Sequence, residues 1–149
     1  MRAVVQRVLE SSVEVDSKII GSINKGLNVL VALKEDDTIE DLKYIRDKVL
    51  NLRVFEDDKE RMNLSLKDIG GEILIISQFT LYGDCRKGRR PNFMKSMEPK
   101  KAKELYEEFL EMMKEEGLKV QSGEFGADMK VNIQNDGPVT ILLESSKEF

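Results

Sequence analysis

Hydrophobic and polar residues alternate along the first third of the chain, and this period of two predicts β-strands. The alternation runs through Val4, Gln6 and Val8 and resumes at residues 13–15. Turn residues at 16–18 and 24–26 then lead into residues 27–33, a run that is apolar on both faces, as expected of a central strand. The start of the chain therefore predicts an antiparallel meander of short strands.

Helical periodicity appears in two later segments. Apolar residues recur every three or four positions between residues 38 and 52, after a capping pair formed by Thr38 and Asp41. A second helix is predicted to begin near Pro99, because the fixed φ of proline suits the first helical turn. Gly117 is a natural end for that helix.

The remaining apolar, β-branched runs predict strands at residues 54–55, 73–76, 130–134 and 139–143. Between the last two runs lie Asn135, Asp136, Gly137 and Pro138, which predict a hairpin turn. Residues 56–63 and 82–98 predict exposed or irregular loops. We expect a single domain over residues 1–149, an α/β chain of the α+β type with mostly antiparallel strands and two main helices.

Composition narrows the function classes. Hydrophobic residues make up 40% and charged residues 35% of the 149 residues, which is typical of a soluble globular protein. Arg2 and Arg7 lie where a signal peptide would be apolar, and the strongest apolar run is too short to span a bilayer. We therefore expect a cytoplasmic protein with no membrane partner.

Basic residues are concentrated in one segment of an otherwise acidic chain. The net charge is −4, yet residues 84–103 contain eight basic residues against two acids. Such a patch indicates a face that meets a polyanion, although a solvated charged face is the alternative. Cys85 lies in this segment, either as a thiol activated by its basic neighbours or as a plain loop residue.

The absence of histidine removes the commonest general base. Neither a Ser-His-Asp nor a Cys-His system can form, and a single Cys excludes a thiolate metal cluster. No metal or other cofactor is expected. The hydroxyls of Ser77 and Thr80 could attack an ester only with an adjacent base, and the sequence shows none.

Backbone groups are the remaining source of catalysis. Residues 77–80 follow a buried strand, and amide N–H groups left free at such a point can bind an oxyanion. The Gly137–Pro138 bond is of the one type that adopts cis at low cost, which would turn its carbonyls toward a ligand. An ordinary turn at Gly137–Pro138 is the alternative.

Two motifs, SQFTL at residues 77–81 and NDGPVT at residues 135–140, resemble the signatures of the D-aminoacyl-tRNA deacylases. These enzymes remove D-amino acids mischarged onto tRNA. The resemblance covers essentially the whole chain and includes residues 1–8, 87–91 and 123–129. It implies a β-barrel-like sheet flanked by helices and a homodimer with two sites at its interface. It also implies action on aminoacyl-tRNA, with no cofactor and no DNA partner.

The resemblance further implies roles for individual residues. Ser77, Gln78, Phe79 and Thr80 would hold the ester, while the 2′-hydroxyl of the tRNA helps to activate water. Gly137 and Pro138 would form a cis pair that enters the other subunit's pocket and rejects L-amino acids, which leaves glycyl-tRNA mischarged on tRNA-Ala as a further substrate. The other implied site residues are Arg7, Asn135 and Thr140 around that pair, Gln78, Phe125 and Met129 in a terminal adenosine pocket, and Arg86, Lys87, Arg89 and Arg90 on acceptor-stem phosphates.

Three alternatives stay open at this point. Phe125 and Met129 could be plain core residues rather than pocket residues. The chain could be a tRNA- or RNA-binding module that uses the basic segment without catalysis. It could also be an esterase in which the hydroxyl of Thr80 or Ser77 forms a covalent intermediate.

Overall fold

The computed structural model describes residues 1–148, which form eight strands, three helices and a short 3-10 turn at Phe79–Tyr82. In chain order the elements are β1 (Arg2–Val15), β2 (Lys18–Ile23), β3 (Gly26–Ala32), α1 (Ile39–Asn51), β4 (Phe55–Glu56), β5 (Met62–Leu64), α2 (Leu66–Ile69), β6 (Glu72–Ser77), α3 (Pro99–Lys114), β7 (Val120–Ser122) and β8 (Lys130–Glu144).

Strand β1 is the centre of the main sheet. On one side it pairs antiparallel with β8 along almost its whole length. On the other side its first half pairs with β3 and its second half with β2, both antiparallel. The parallel pairs β3–β6 and β6–β7 complete the sheet. Strands β4 and β5 form a separate two-stranded sheet.

The sheet curves until β2 comes to lie near β6 and β7, which gives it a nearly closed, barrel-like form. Gly21 permits this approach, because a Cβ there would stand 3.0 Å from the Ser122 carbonyl oxygen. A small buried cluster that includes Val8, Val13 and Leu74 fills the inside of the curve. The expected mostly antiparallel, barrel-like α+β fold is confirmed.

The main core lies on the other face of the sheet, under α1 and α3. Both helices begin as the sequence predicts. Asp41 Oδ2 accepts a hydrogen bond from the Thr38 amide at 2.8 Å, and Pro99 is the first residue of α3. The side chains that fill this core come from the helices and from β1, β3 and β6, and the largest include Leu27, Leu42, Ile45, Phe55 and Phe109.

The predicted hairpin at residues 135–138 is wrong. Residues 130–134 and 139–143 do not pair with each other, because both lie in β8 and both pair with β1. Between the pairs Gln6–Thr140 and Val8–Asn135, β1 advances by two residues while β8 advances by five. The extra residues form a bulge in one continuous strand.

Three short elements were not predicted from the sequence: β5, which begins inside the expected loop at 56–63, the single turn α2, and β7. Among residues 1–148, none of the helices combines the length and the apolar composition that crossing a membrane requires.

Candidate functional site

In the described part of the chain, the segment that follows β6 leaves two backbone N–H donors without an acceptor. The Gln78 amide makes the last strand-type hydrogen bond, to the Val31 carbonyl at 2.7 Å, and the chain then turns into the 3-10 turn. Because Phe79 and Thr80 are the first residues of that turn, no earlier turn supplies acceptors for their amides. Their N–H groups have no acceptor among residues 1–148. Two adjacent free donors of this kind can stabilise an oxyanion.

The side chains of this segment provide no general base. Gln78 Nε2 donates to the Thr80 hydroxyl at 2.5 Å, and an amide cannot accept a proton at neutral pH. In the part of the chain that the structure describes, neither the Ser77 nor the Thr80 hydroxyl is hydrogen-bonded to a carboxylate or a lysine. The arrangement therefore favours polarising an ester over attacking it with a side-chain hydroxyl.

A cavity of about 620 Å³ lies beside the turn. Its lining includes Ser77, Gln78 and Phe79 from the first motif, together with Phe125 and Met129. Phe125 also packs against the core residue Tyr106, with ring centroids 5.7 Å apart. Phe125 is therefore both a wall of the cavity and part of the core packing. The structure thus brings the first predicted motif and the predicted adenosine pocket residues together. Thr80 does not line this cavity.

Tyr106 supports the end of β6 from below. Its hydroxyl donates to the Ile75 carbonyl at 3.0 Å, two residues before Ser77. Burial raises the pKa of Tyr106, so the phenol stays protonated and keeps donating across the physiological range. This contact fixes the strand from which residues 77–80 project.

Two residues of the site escaped sequence analysis because they lie in the irregular segment 82–98. The Phe93 ring meets the half-exposed Phe79 ring almost edge-on, with centroids 5.2 Å apart. The Ser96 hydroxyl donates to the Phe79 carbonyl at 3.3 Å. Both residues line the cavity, and no periodic pattern in the sequence marks them.

The second motif lies in the bulge of β8. The Asn135 side-chain amide donates to the carbonyls of Arg7 and Val139, each at 2.9 Å, and so replaces strand hydrogen bonds that the bulge removes. The Gly137–Pro138 bond is cis, Gly137 has φ +117°, and both residues are exposed. Thr140 closes the base of the bulge through hydrogen bonds with Gln6 and Asn135.

Arg7 holds this bulge from beneath. Its side chain is almost fully buried, and Nη1 donates to the Val54 carbonyl at 2.7 Å. Nε lies 3.1 Å from the Asp136 carboxylate and 3.3 Å from the Asp136 carbonyl oxygen. The buried guanidinium thus contacts both Val54 and Asp136, and it fixes the position of the backbone that leads into Gly137–Pro138.

The two motifs do not meet within one chain. The strand register aligns residues 135–140 of β8 with residues 72–74 of β6, three strands across the sheet. With strands ~4.8 Å apart and a rise of ~3.3 Å per residue, the separation from Gln78 is roughly 20 Å along the sheet. A site that uses both motifs therefore needs a second copy of the chain.

The basic segment is ordered by its own contacts. The backbones of Asp84 and Asn92 pair at 2.8 and 3.0 Å. Arg86 binds the Asp84 carboxylate at 2.5 Å, and this contact holds the pKa of Asp84 well below its usual range. Lys87, Arg89 and Arg90 are exposed, and none makes an ion pair with another residue in 1–148. Of the four predicted phosphate-binding residues, Arg86 is thus the one already neutralised.

Comparison with known proteins gives concordant results. The family model described as D-Tyr-tRNA(Tyr) deacylase matches residues 4–144. D-aminoacyl-tRNA deacylases of Clostridium botulinum (strain Alaska E43 / Type E3) and Clostridium beijerinckii are 71% and 68% identical over 149 residues, which is the full length of each chain.

Solved structures extend the comparison to the fold. One described as c-Myc DNA Unwinding Element Binding Protein is 44% identical, covers 97% of this chain and 98% of its own, and has a TM-score of 0.92. One described as a probable eukaryotic D-amino acid tRNA deacylase has a TM-score of 0.84 over 96% of this chain and 98% of its own. At 21% identity, that second likeness shows the fold alone.

Proposed function

Because the chain belongs to the D-Tyr-tRNA(Tyr) deacylase family, and is thus a D-aminoacyl-tRNA deacylase, we propose that it cleaves its substrate with backbone amides inside a homodimer. The observation that carries this proposal is that the N–H groups of Phe79 and Thr80 have no acceptor within residues 1–148, in a segment without a general base. The second motif, about 20 Å away along the sheet, acts on the site of the partner subunit.

The reaction is hydrolysis of the ester between the aminoacyl group and the terminal ribose. Water adds to the carbonyl carbon, and the amides of Phe79 and Thr80 stabilise the oxyanion that forms. The ribose 2′-hydroxyl helps to activate the water. The proton lost by water passes to the 3′-oxygen as the C–O bond breaks, which releases the D-amino acid and tRNA. One oxyanion donor is typically worth a factor of about 10²–10³ in kcat.

The terminal adenosine occupies the cavity beside the turn. The ring of Phe125 offers a face on which a base can stack, Met129 adds an apolar contact, and Gln78 also lines the cavity. This position places the ribose ester next to residues 77–80.

The Gly137–Pro138 pair of one subunit checks the handedness of the substrate in the other. Its carbonyl oxygens accept hydrogen bonds from the α-ammonium group of the substrate. An L side chain would then collide with the pair, while a D side chain points away from it. Arg7 and Asn135 hold the bulge in position, and the hydrogen bonds that their side chains donate to the Val54 and Arg7 carbonyls support this role. Glycine has no side chain to exclude, so glycyl-tRNA mischarged on tRNA-Ala is also a substrate.

The sheet offers a surface for the partner subunit. Leu142 is 58% exposed and pairs across the sheet with the half-buried Val4, on the face opposite α1 and α3. Within residues 1–148, β8 pairs only with β1, so its other edge is open. A second copy that covers this face would bury the apolar pair and bring the two motifs together.

The tRNA lies along the basic segment, where Lys87, Arg89 and Arg90 contact acceptor-stem phosphates. Arg86 contributes less because Asp84 neutralises it. We place the enzyme in the cytoplasm, where charged tRNA is used.

Hydrolysis of D-tyrosyl-tRNA and L-tyrosyl-tRNA by the purified protein tests the proposal, with release of radiolabelled tyrosine as the readout. We expect rapid hydrolysis of the D ester and none of the L ester. Equal affinity for charged and uncharged tRNA without turnover would instead support an RNA-binding module.

Thr80→Ala separates the two chemical routes, because it removes the hydroxyl and keeps the amide. We expect kcat within about tenfold of the wild type, since the hydroxyl does no bond-making. Complete loss of activity with an unchanged circular dichroism spectrum, or a trapped acyl-enzyme, would establish the covalent route instead.

A further inference from the structure

The Ser96 hydroxyl contacts a peptide group whose other end is a proposed oxyanion donor. It donates to the Phe79 carbonyl at 3.3 Å. That carbonyl and the Thr80 N–H belong to one planar, trans peptide group. In a trans peptide the carbonyl and the N–H point in opposite directions, so the Thr80 N–H points away from Ser96. This orientation agrees with the position of Thr80 outside the cavity lining.

Ser96 and the turn at residues 79–82 are attached to the same part of the sheet. The amide of Met97, the residue after Ser96, donates to the Leu33 carbonyl, just beyond β3, at 3.0 Å. On the other side, the Gln78 amide donates to the Val31 carbonyl, within β3, at 2.7 Å. Because both segments are fixed to the end of β3, the fold sets the distance between the hydroxyl and the carbonyl that it contacts.

The two proposed oxyanion donors are oriented by different contacts. The Phe79 N–H shares its peptide group with the Gln78 carbonyl, which accepts a hydrogen bond from the Leu81 amide at 3.1 Å inside the turn. The Thr80 N–H shares its peptide group with the carbonyl that Ser96 reaches from outside the turn. Hydrogen-bond geometry in a 3-10 turn is poorer than in an α-helix, so a contact from outside adds to what the turn provides by itself.

We propose that Ser96 is a positioning residue for the reaction, whose hydroxyl orients and polarises the peptide group that presents the Thr80 N–H to the oxyanion. The proposal rests on the proposed function, because it takes that N–H as an oxyanion donor. A hydrogen bond accepted by a carbonyl draws electron density from the N–H of the same peptide group, and the N–H becomes a stronger donor.

The effect of Ser96 is larger in the transition state than in the bound ester. As negative charge develops on the substrate, the Thr80 N–H binds it more strongly and the Phe79 oxygen becomes more negative, so the hydrogen bond from Ser96 strengthens as well. Its length of 3.3 Å leaves room for this tightening. An interaction that strengthens only in the transition state raises kcat rather than substrate affinity.

Ser96→Ala tests the assignment, because it removes the hydroxyl and leaves the backbone. Cooperative strengthening of ~10–30% per bond, applied to a donor worth a factor of about 10²–10³, corresponds to a loss of about 2–8-fold. The single-turnover rate for D-tyrosyl-tRNA should fall by about that factor, while KM and the Kd for uncharged tRNA should change by less than about 1.5-fold. Ser96→Thr keeps a hydroxyl and should retain the wild-type rate.

Ser11→Ala is the matched control. The Ser11 hydroxyl also donates to a backbone carbonyl, that of Asn132, at 2.8 Å, but Ser11 lies in β1, outside the cavity lining. Its replacement should lower the midpoint of urea denaturation and leave the single-turnover rate unchanged.

A spectroscopic measurement makes the test independent of turnover. In ¹⁵N-labelled protein without substrate, Ser96→Ala should shift the amide signal of Thr80 more than that of Phe79, because only the Thr80 amide shares its peptide group with the carbonyl that Ser96 contacts. Ser11→Ala should shift neither signal.

The proposal is overturned if the Thr80 signal stays in place in Ser96→Ala. It is also overturned if Ser96→Ala raises KM and leaves the single-turnover rate unchanged, which would make Ser96 a direct contact of the substrate. Equal losses for Ser96→Thr and Ser96→Ala would assign the effect to packing in the cavity and would likewise contradict it. Failure of the wild-type protein to hydrolyse D-tyrosyl-tRNA would refute the proposed function itself.

Discussion

Gly137→Ala tests whether the tip of the β8 bulge is packed against Arg7. Gly137 has φ +117°, a backbone conformation that L side chains rarely adopt. A Cβ at this position would stand 2.9 Å from Val139 Cγ2 and 3.1 Å from Arg7 Nη2. Arg7 cannot move away freely, because its guanidinium is buried and bonded to the Val54 carbonyl.

Gly88 provides the matched control, with φ +111° and, apart from its two chain neighbours, no atom of the described residues 1–148 within 4 Å of the position that a Cβ would take. Gly88→Ala should therefore cost only the backbone strain, about 1–2 kcal/mol. Gly137→Ala adds a steric term of about 1–3 kcal/mol, as for an overpacked site. The free energy of unfolding should accordingly fall by about 1–3 kcal/mol more for Gly137→Ala than for Gly88→Ala.

Urea denaturation followed by circular dichroism, at one protein concentration, measures both losses. Equal losses for the two variants would refute the packing argument. The ratio of kcat/KM for D- and L-tyrosyl-tRNA then addresses function, and it should fall only for Gly137→Ala. An unchanged ratio in Gly137→Ala would remove the basis for the gate at residues 137–138.

The remaining expectations concern the interface, the core and the basic segment. Leu142→Lys should halve the mass found by sedimentation and abolish hydrolysis of D-tyrosyl-tRNA, because it puts a charge on the surface proposed to be covered by the second copy. Asp37→Asn should lower the free energy of unfolding by about 3 kcal/mol, since the buried Met1 ammonium lies 2.5 Å from Asp37 Oδ1. Replacing Arg89 and Arg90 with Gln should flatten the slope of log kcat/KM against log salt concentration by roughly 0.7–0.9 per charge.

Each of these variants has a control within the chain. Ile19→Lys changes another exposed apolar residue, near the start of β2, and should leave the mass unchanged. Asp36→Asn removes an exposed partner of Lys34 and should lower the free energy of unfolding by less than about 1 kcal/mol. If Asp37→Asn lowered it by no more than that, the argument from the buried pair of Met1 and Asp37 would be wrong. Removing Asp84 and Arg86 together keeps the net charge, so a change of salt slope there would contradict the pairing of these two residues.

Local signals in the sequence were sufficient for much of this fold. The capping pair Thr38 and Asp41 and the proline at 99 mark helix starts, because a helix terminus is determined by its nearest residues. The strand end at Ser77 was also predictable, since the apolar run stops where polar residues begin. Segments whose structure depends on neighbours in sequence are the ones that sequence analysis describes well.

Residues 135–138 show where that approach fails. Asn, Asp, Gly and Pro together favour a hairpin, yet both flanks pair with β1, more than one hundred residues earlier in the chain. No local signal records such a distant partner or its register. Phe93 and Ser96 were missed for the same reason, because their approach to Phe79 is a tertiary contact of an irregular loop.

The pairing of β1 with β8 also has a consequence for how the protein matures during translation. β1 is synthesised first and β8 last, so one edge of β1 stays unpaired until residues 130–144 have left the ribosome. Contacts between segments so far apart form slowly, and an open edge invites pairing with other chains in the meantime. The turn at residues 77–82 belongs to a part of the sheet that can assemble earlier, through β3 and β6. The element proposed to judge stereochemistry is therefore the last to be completed, and a chain that stops short of β8 carries the amides proposed to bind the ester without the proposed gate.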